Sequence, residues 1–353
     1  MEIVSVDLGY GFVKAISSKG KRVIFPSVVG DEGNNLDLSS AFGKRSNDVK
    51  NMHISFDNER YFVGDLAEKE SRSTTRVFEK ERFNNVYTTV LLNTAIQLVS
   101  ESDIVNVTTG LPLDFYQSQA KDFRESILGI QPITEWISGP LAEQEKRINI
   151  ENALVFPQGA SAVFSALINH EGEFVYPQYM SEGSLIALID IGFRTTDFVV
   201  VEIQENGSFV PIAKLSGTVD EGVNNLYTNI HQAFKSKTGG SDLNERYIKQ
   251  ILKNGHLFYR GRRIGFNDVI ESSKESIIAN ISDRLKNTWT NEYDLFSAIF
   301  VAGGGGNLFL DDIQPHFDNR LELIRESQFA NAIGYLRLGR TLLNVKNLED
   351  KMG

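Results

Sequence analysis

Two aspartates stand in closely matched surroundings. Asp7 closes the apolar run Ile3-Val4-Ser5-Val6 and is followed by Leu8-Gly9-Tyr10-Gly11. Asp190 closes Leu188-Ile189 and is followed by Ile191-Gly192-Phe193. A glycine-rich turn lets backbone N–H groups approach phosphate oxygens without a Cβ in the way. A carboxylate at the end of the preceding strand suits a hydrated Mg²⁺. Seven residues past each aspartate lies a second charged side chain, Lys14 and Asp197. Lys14 is placed to reach phosphate as a point charge. Arg194-Thr195-Thr196 extends the second turn with hydroxyls that can donate to phosphate or simply decorate a hairpin, and the repeat favours phosphate.

Two further groups fit the same chemistry. Gln158 lies where the apolar run Ala153-Leu154-Val155-Phe156 gives way to an alanine-rich stretch. An amide there can orient a water for in-line attack on a γ-phosphate, or cap the helix that follows. On residue type alone capping is the plainer reading. Gly303-Gly304-Gly305-Gly306 follows the apolar run Ile299-Phe300-Val301-Ala302. Four consecutive glycines cost chain entropy, so close packing or a flat base lying against bare backbone is expected. The segment lacks the Lys-Ser/Thr ending of a P-loop. Gly9-Tyr10-Gly11 leads into a strand, not a helix, which argues against a Rossmann dinucleotide site.

The elements that must position these groups alternate. Each aspartate turn reads as strand, tight turn, strand: 3–8 with 12–16, and 188–191 with 197–201. Two such copies in one chain point to two domains of common design. Residues 21–27, 104–108, 153–156 and 299–302 read as strands, with 104–108 stopped by Gly110-Leu111-Pro112. Residues 53–56 and 61–64 flank Asp57-Asn58-Glu59-Arg60 as a hairpin. Val86, Val90, Leu91, Ala95 and Leu98 share one helical face. Stretches 114–128, 160–168, 224–234, 244–252, 267–286 and 328–344 read as helices, while 31–51 reads as an exposed loop and 68–84 as charged and aperiodic. The fold class expected is α/β.

Composition bounds the partners. Thirty-six basic residues stand against 46 acidic ones, a net charge of -10, which disfavours direct contact with a nucleic-acid backbone. Lys44-Arg45 is too short a run to change that and reads as a solvated loop. Cysteine is absent, which excludes disulfides, thiolate metal sites and cysteine nucleophiles. The N-terminus has no signal-peptide pattern and no apolar run approaches a membrane span, so a cytoplasmic location is expected.

Taken together, the motifs resemble the actin, heat-shock-chaperone and sugar-kinase superfamily, whose five signature segments have counterparts here in order. These are Val6-Asp7-Leu8-Gly9-Tyr10-Gly11 through Lys14, Pro157-Gln158-Gly159-Ala160, Ile189 through Asp197, Val301 through Leu308, and Gln328-Phe329-Ala330-Asn331-Ala332-Ile333-Gly334-Tyr335. Within the superfamily the last segment, Val107-Thr108-Thr109-Gly110-Leu111-Pro112 and Ser216 through Val223 resemble prokaryotic actins, above all ParM proteins of Gram-positive plasmids and archaeal actin homologues.

The resemblance implies an actin-like fold of two related RNase H-like domains with a nucleotide cleft between them. Domain I would span 1–156, with an exposed insertion at about 30–85. Domain II would span 157–334, with a helical subdomain at about 222–295, and a helix at 335–353 would return to domain I. It implies an ATPase that binds ATP (or GTP) with Mg²⁺ and polymerises into filaments for plasmid partition. The partners implied are itself and a small DNA-binding adaptor at a plasmid centromere, with no membrane. Asp7 and Asp190 would organise Mg²⁺. Gly9, Tyr10, Gly11, Lys14, Gly192, Thr195 and Thr196 would contact phosphates. Gln158 with Asp190 would be catalytic, Gly304 and Gly305 would back the adenosine, and Gly222 and Asn225 would lie near the ribose. Alternatives are a sugar-type kinase, for which no second substrate motif is visible, and a cytoskeletal actin unrelated to segregation. A chaperone-like ATPase module would need a further domain, and nine residues follow Asn344.

Overall fold

In the computed structural model the strands Glu2–Leu8 and Phe12–Ser17 pair antiparallel, with Asp7 opposite Lys14 and Leu8 opposite Val13. Far along the chain Leu185–Ile191 and Thr196–Ile203 pair in the same way, with Asp190 opposite Asp197 and Ile191 opposite Thr196. The aspartate, the seven-residue offset to the residue facing it and the span of the turn are therefore the same in both hairpins, while the facing residue is a lysine in the first and an aspartate in the second. The structure describes residues 1–32, 46–71, 74–75, 85–130, 132–171, 173–205 and 207–352. Lys44, Arg45 and much of the insertion expected at about 30–85 lie outside the described residues.

The first hairpin seeds a five-stranded sheet and the second a six-stranded one, in which the short strand Gly217–Val219 also pairs with Thr196–Ile203 beside the main path. In the first the order is Asn149–Pro157, Ile104–Leu111, Glu2–Leu8, Phe12–Ser17, Arg22–Pro26. In the second it is Leu321–Leu323, Phe296–Ala302, Leu185–Ile191, Thr196–Ile203, Phe209–Pro211. The strands on one side of each aspartate strand are parallel to it or to one another, and those on the other side are antiparallel. One topology thus occurs twice. The central strands are covered on both faces, which is why Glu2–Leu8 and Leu185–Ile191 are almost unbroken buried runs.

By compactness the chain divides into Met1–Glu173 with Phe329–Gly353, and Phe174–Gln328. The first unit keeps the helix Ala160–Leu167, beyond the 156/157 boundary expected from sequence, because that helix packs on the C-terminal helix Ala330–Met352. The first unit also carries a second sheet built around the hairpin Met52–Phe56 and Glu59–Val63. Its turn places Asp57 at φ 53 and Asn58 at φ 64, the left-handed pair that a two-residue hairpin requires. The charged stretch after it begins with a helix, Asp65–Glu70, whose Leu66 and Ala67 are buried.

The second unit adds the helices Val223–Thr238, Glu245–Asn254 and Asn267–Trp289 and a small hairpin, His256–Tyr259 with Arg262–Gly265, which the sequence pattern did not disclose. Its core gathers Phe198, Phe234, Phe266, Trp289, Phe296 and Phe317. No helix among the described residues is long and apolar enough to cross a membrane.

The C-terminal helix lies close on the first unit. A Cβ at Gly334 would collide with the Ser161 carbonyl, and one at Gly339 would sit 2.5 Å from Thr108 Cγ2. The strand Ile104–Leu111 runs on through Gly110, past the stop expected there, because Gly110 gives room to the Tyr335 ring. Arg337 donates to the carbonyls of Phe164, Ser165 and Ile168, the open C-terminal end of the helix Ala160–Leu167. Gly334→Ala is expected to lower unfolding free energy by about 2 kcal/mol or more, since the obstacle is backbone. Gly265→Ala, whose Cβ would meet nothing within 4 Å, is expected to stay within about 0.5 kcal/mol. Urea midpoints of the two variants check this.

Candidate functional site

The first loop is shaped by its neighbours. Both of its ends are strand residues, so Gly9, Tyr10, Gly11 and Phe12 must reverse the chain in a fixed span. A Cβ at Gly9 would lie 2.8 Å from the Phe12 carbonyl and 2.9 Å from Lys14 Nζ, so only glycine fits. Ser27 clamps the loop from outside: its Oγ donates to the Gly9 carbonyl at 2.5 Å and its N–H to the Gly11 carbonyl at 2.9 Å. Sequence reasoning missed Ser27, since a serine after a strand carries no distinguishing pattern.

Asp7 is the hub of this loop. Lys14 Nζ donates to its Oδ2 at 2.9 Å, and the side chains are only 14% and 4% exposed. Gln158 Nε2 points to the other oxygen, Oδ1, at 3.4 Å. Gln158 is itself buried, and its N–H donates to the Leu111 carbonyl at 2.7 Å. The N-cap of the following helix is Gly159, at φ 73 and with no side-chain cap, so the Gln158 amide is directed to the carboxylate rather than to capping. Asn331, from the Gln328–Tyr335 segment, accepts from the Gly159 N–H at 3.1 Å and fixes that turn. A buried carboxylate between an ammonium and an amide is preorganised to meet a cation or a phosphate-bound water.

The second loop repeats the geometry with other partners. The Gly192 N–H donates to the Thr195 carbonyl at 2.9 Å, and a Cβ at Gly192 would lie 2.8 Å from that oxygen. The same 2.8 Å separates a Cβ at Gly9 from the Phe12 carbonyl. Asp197 stands at the Lys14 position, where its Oδ1 accepts from Thr218 Oγ1 at 2.6 Å. Thr195 is half-buried, whereas Thr196 is fully buried and its hydroxyl donates to the Glu221 carbonyl at 2.8 Å. The Thr196 hydroxyl is thus committed to protein, unlike the phosphate contact expected from sequence.

Gly222 and Asn225 join the helix Val223–Thr238 to this loop. The Asn224 N–H donates to the Phe193 carbonyl at 2.6 Å, and a Cβ at Gly222 would lie 2.8 Å from that same oxygen. Asn225 Oδ1 accepts from the Gly222 N–H at 3.1 Å, closing the helix start.

The four glycines divide by role. Gly303, at φ 84, is the N-cap of the helix Gly304–Ile313, which the sequence pattern did not disclose. A Cβ on Gly303 would collide with Asp190 Oδ1 and the Ile191 carbonyl, and one on Gly305 would lie 2.6 Å from Ile191 Cγ2. Both therefore serve the approach of this helix to the Asp190 strand end. Gly304 is exposed, and its Cβ would come no closer than 3.7 Å to Gln328 Nε2. It is the glycine of this run that presents open backbone.

Among the described residues no group of three or more His, Cys, Asp or Glu side chains is arranged to hold a metal. Asp7 and Asp190 each offer a single carboxylate at a strand end, the donor type that a hard cation keeping most of its waters requires.

Residues 5–160 match the family model described as the N-terminal domain of actin-like proteins, and residues 188–315 match that of the archaeal actin homologue, MreB-like, C-terminal domain. Each match contains one of the two aspartate hairpins. The chain belongs to the actin-like proteins and has the actin-like fold. It is similar to an archaeal actin homolog of Thermoplasma volcanium, 25% identical over 348 residues that cover 95% of this chain and 98% of the relative. Among solved structures it is similar to a 15-stranded ParM filament from Clostridium botulinum, with 29% identity, TM-score 0.85, and coverage of 96% of this chain and 99% of that one. It also shares its fold with an archaeal actin homolog solved in complex with ADP, at 21% identity, TM-score 0.77, and coverage of 97% and 100%.

Replacing the two neighbouring threonines separates structure from binding. Thr196→Val is expected to cost about 1–3 kcal/mol of stability by leaving the Glu221 carbonyl without its donor. Thr195→Val is expected to leave the unfolding curve unchanged while weakening nucleotide affinity. Urea unfolding and fluorescent-nucleotide titration read the two effects.

Proposed function

We propose that this chain is an actin-like ATPase whose two aspartate loops take the phosphates of one ATP (or GTP) with Mg²⁺, and that the nucleotide-bound chain assembles into filaments. The observation that carries the reading is the identity of the two hairpins in register, turn span and loop-closing carbonyl. In this reading the backbone of Gly9, Tyr10, Gly11 and Gly192, with the Thr195 hydroxyl, meets phosphate oxygens. Lys14 adds a point charge, and Gly304 backs the adenosine. Gly222, Asn225, Gly305 and Thr196 shape the second loop from behind. Asp7 and Asp190 would hold Mg²⁺, which when bound would supply neutralising charge to the phosphates. Gln158 turns its amide from Asp7 to orient the attacking water.

Similarity to the ParM filament supports self-assembly as the output of nucleotide binding. It also supports a role in plasmid segregation, in which a small DNA-binding adaptor recognises the plasmid centromere and this acidic chain drives the copies apart in the cytoplasm. The similarity to archaeal actin homologs over 95% of the chain favours a second reading, a cytoskeletal filament with no plasmid cargo. Plasmid loss after deletion in the native host separates them: loss supports segregation, and stable inheritance supports the cytoskeletal role.

Light scattering with ATP and Mg²⁺ at micromolar protein is expected to rise and then fall as phosphate is released. A flat trace with nucleotide bound contradicts filament formation. Asp190→Ala is expected to fold and to lose hydrolysis by about 100-fold or more. Hydrolysis retained at the wild-type rate removes Asp190 from the site.

A further inference from the structure

The charge of this chain is unevenly placed. Between Glu245 and Gly265 six basic residues stand against one acidic residue, in a chain whose net charge is -10. The rest of the chain therefore holds 30 basic and 45 acidic residues. The basic stretch is the helix Glu245–Asn254 and the hairpin His256–Tyr259 with Arg262–Gly265. Its tip is fixed by Arg260 at φ 49 and Gly261 at φ 75, both left-handed. Arg260, Arg262 and Arg263 are exposed there, beside Phe258 at 66% exposure. Arg260 leans on the Tyr259 ring and Arg263 reaches His256 Nδ1 at 3.3 Å, and among the described residues none of the three arginines meets a carboxylate. A desolvatable aromatic ringed by uncompensated guanidinium groups is what a docking surface for an acidic, part-apolar partner requires.

The same unit carries the complementary surface. A hollow of about 530 Å³ is lined by Glu182, Gln204, Glu205 and Ser208. Glu202 adjoins it through the Gln204 amide, which donates to its carboxylate at 3.1 Å. Beside it Phe174 packs edge-on to Phe209, and Phe174, Val175 and Val210 are 42%, 49% and 46% exposed.

Topology sets the two surfaces at opposite ends of the unit. The hollow lies where Leu185 enters its strand and Ile203 leaves its own, the sheet end away from Asp190. The helix Val223–Thr238 starts at the Asp190 end, bonded to Phe193, and carries Phe234 to the hairpin, where it packs on Tyr259. The helix Asn267–Trp289 then returns to the sheet, where Trp289 packs on Phe198 and Phe296. Midway along it Asn280 donates to the Glu221 carboxylate at the Asp190 end, at 2.8 Å, so the stretch from Asn267 to Asn280, roughly 20 Å at 1.5 Å per residue, lies on the other side of that contact from Trp289 and sets the hairpin beyond the Asp190 end.

We infer that the arginine hairpin of one copy docks on the acidic hollow of the next, with Phe258 meeting the apolar rim. Two unlike, complementary patches at opposite ends of one body make a head-to-tail contact, which repeats without closing and builds a filament. Charge complementarity of this kind also fixes register and speeds encounter. The inference rests on the filament reading above and adds which surfaces make the contact.

Charge reversal tests it. Arg260→Glu with Arg262→Glu and Arg263→Glu makes one variant, and Glu182→Lys with Glu205→Lys makes the other. All five side chains are exposed, and none belongs to the nucleotide loops. Each variant is expected to bind fluorescent ATP like the wild type and to raise the critical concentration for assembly about tenfold or more. Mixed together, the two are expected to co-assemble, and a single chain carrying both sets is expected to regain assembly. If the wild type assembles and the reversals leave the critical concentration unchanged, or the mixture fails to co-assemble, the contact assignment is wrong while the filament reading stands. If the wild type binds nucleotide and never assembles, both fall. If the wild type shifts duplex DNA in a gel and the arginine variant loses only that, the hairpin is a nucleic-acid surface and the inference is overturned.

Discussion

The structure depends on a steric condition met twice. At the end of a buried strand the chain must turn within four residues and re-enter the sheet with its partner residue in register. The carbonyl three residues on comes so close that a Cβ at the first turn residue would lie 2.8 Å from it, at Gly9 and again at Gly192. That closeness forces glycine, and glycine leaves the turn's outer backbone bare. A side chain there would both break the turn and cover its backbone. The preceding aspartate is held by the same strand end, so the carboxylate and the bare turn arrive together without being placed separately.

The two copies have diverged in what surrounds this shared frame. In the first, Asp7 is matched by Lys14 and Gln158, a buried set of one ammonium and one amide. In the second, the facing Asp197 is tied to Thr218, Thr196 to Glu221, and the glycines Gly303 and Gly305 let a helix abut the Asp190 strand end. One loop thus gathers ionic and amide side chains on its aspartate. The other is braced by bonds within the protein around its facing strand.

Much of this was legible in the sequence, for a physical reason. A buried strand ending in Asp-x-Gly leaves its mark in consecutive residues, so both hairpins, the register partner Lys14 and the alternation of strands and helices could be read directly. What could not be read are relations to backbone atoms far along the chain. Ser27 clamps the Gly9 turn, Thr196 is spent on Glu221, and Gly334 makes room for Ser161, and in each case the partner is a carbonyl that any residue type would supply. The glycine run was recognised as costly, yet only geometry separates Gly304, which is open, from Gly303 and Gly305, which are packed. The sequence also carried the arginine-rich tip in plain view, but its meaning depends on a hairpin and an acidic hollow that share one unit.

The central claim is that both loops act on a single nucleotide. Isothermal titration with a slowly hydrolysed ATP analogue and Mg²⁺, on the wild type and on Gly9→Val and Gly192→Val, tests it most directly. The account predicts one nucleotide per chain and affinity reduced by about 100-fold or more by either substitution alone. Two nucleotides per chain, or full affinity after either turn is blocked, would contradict it.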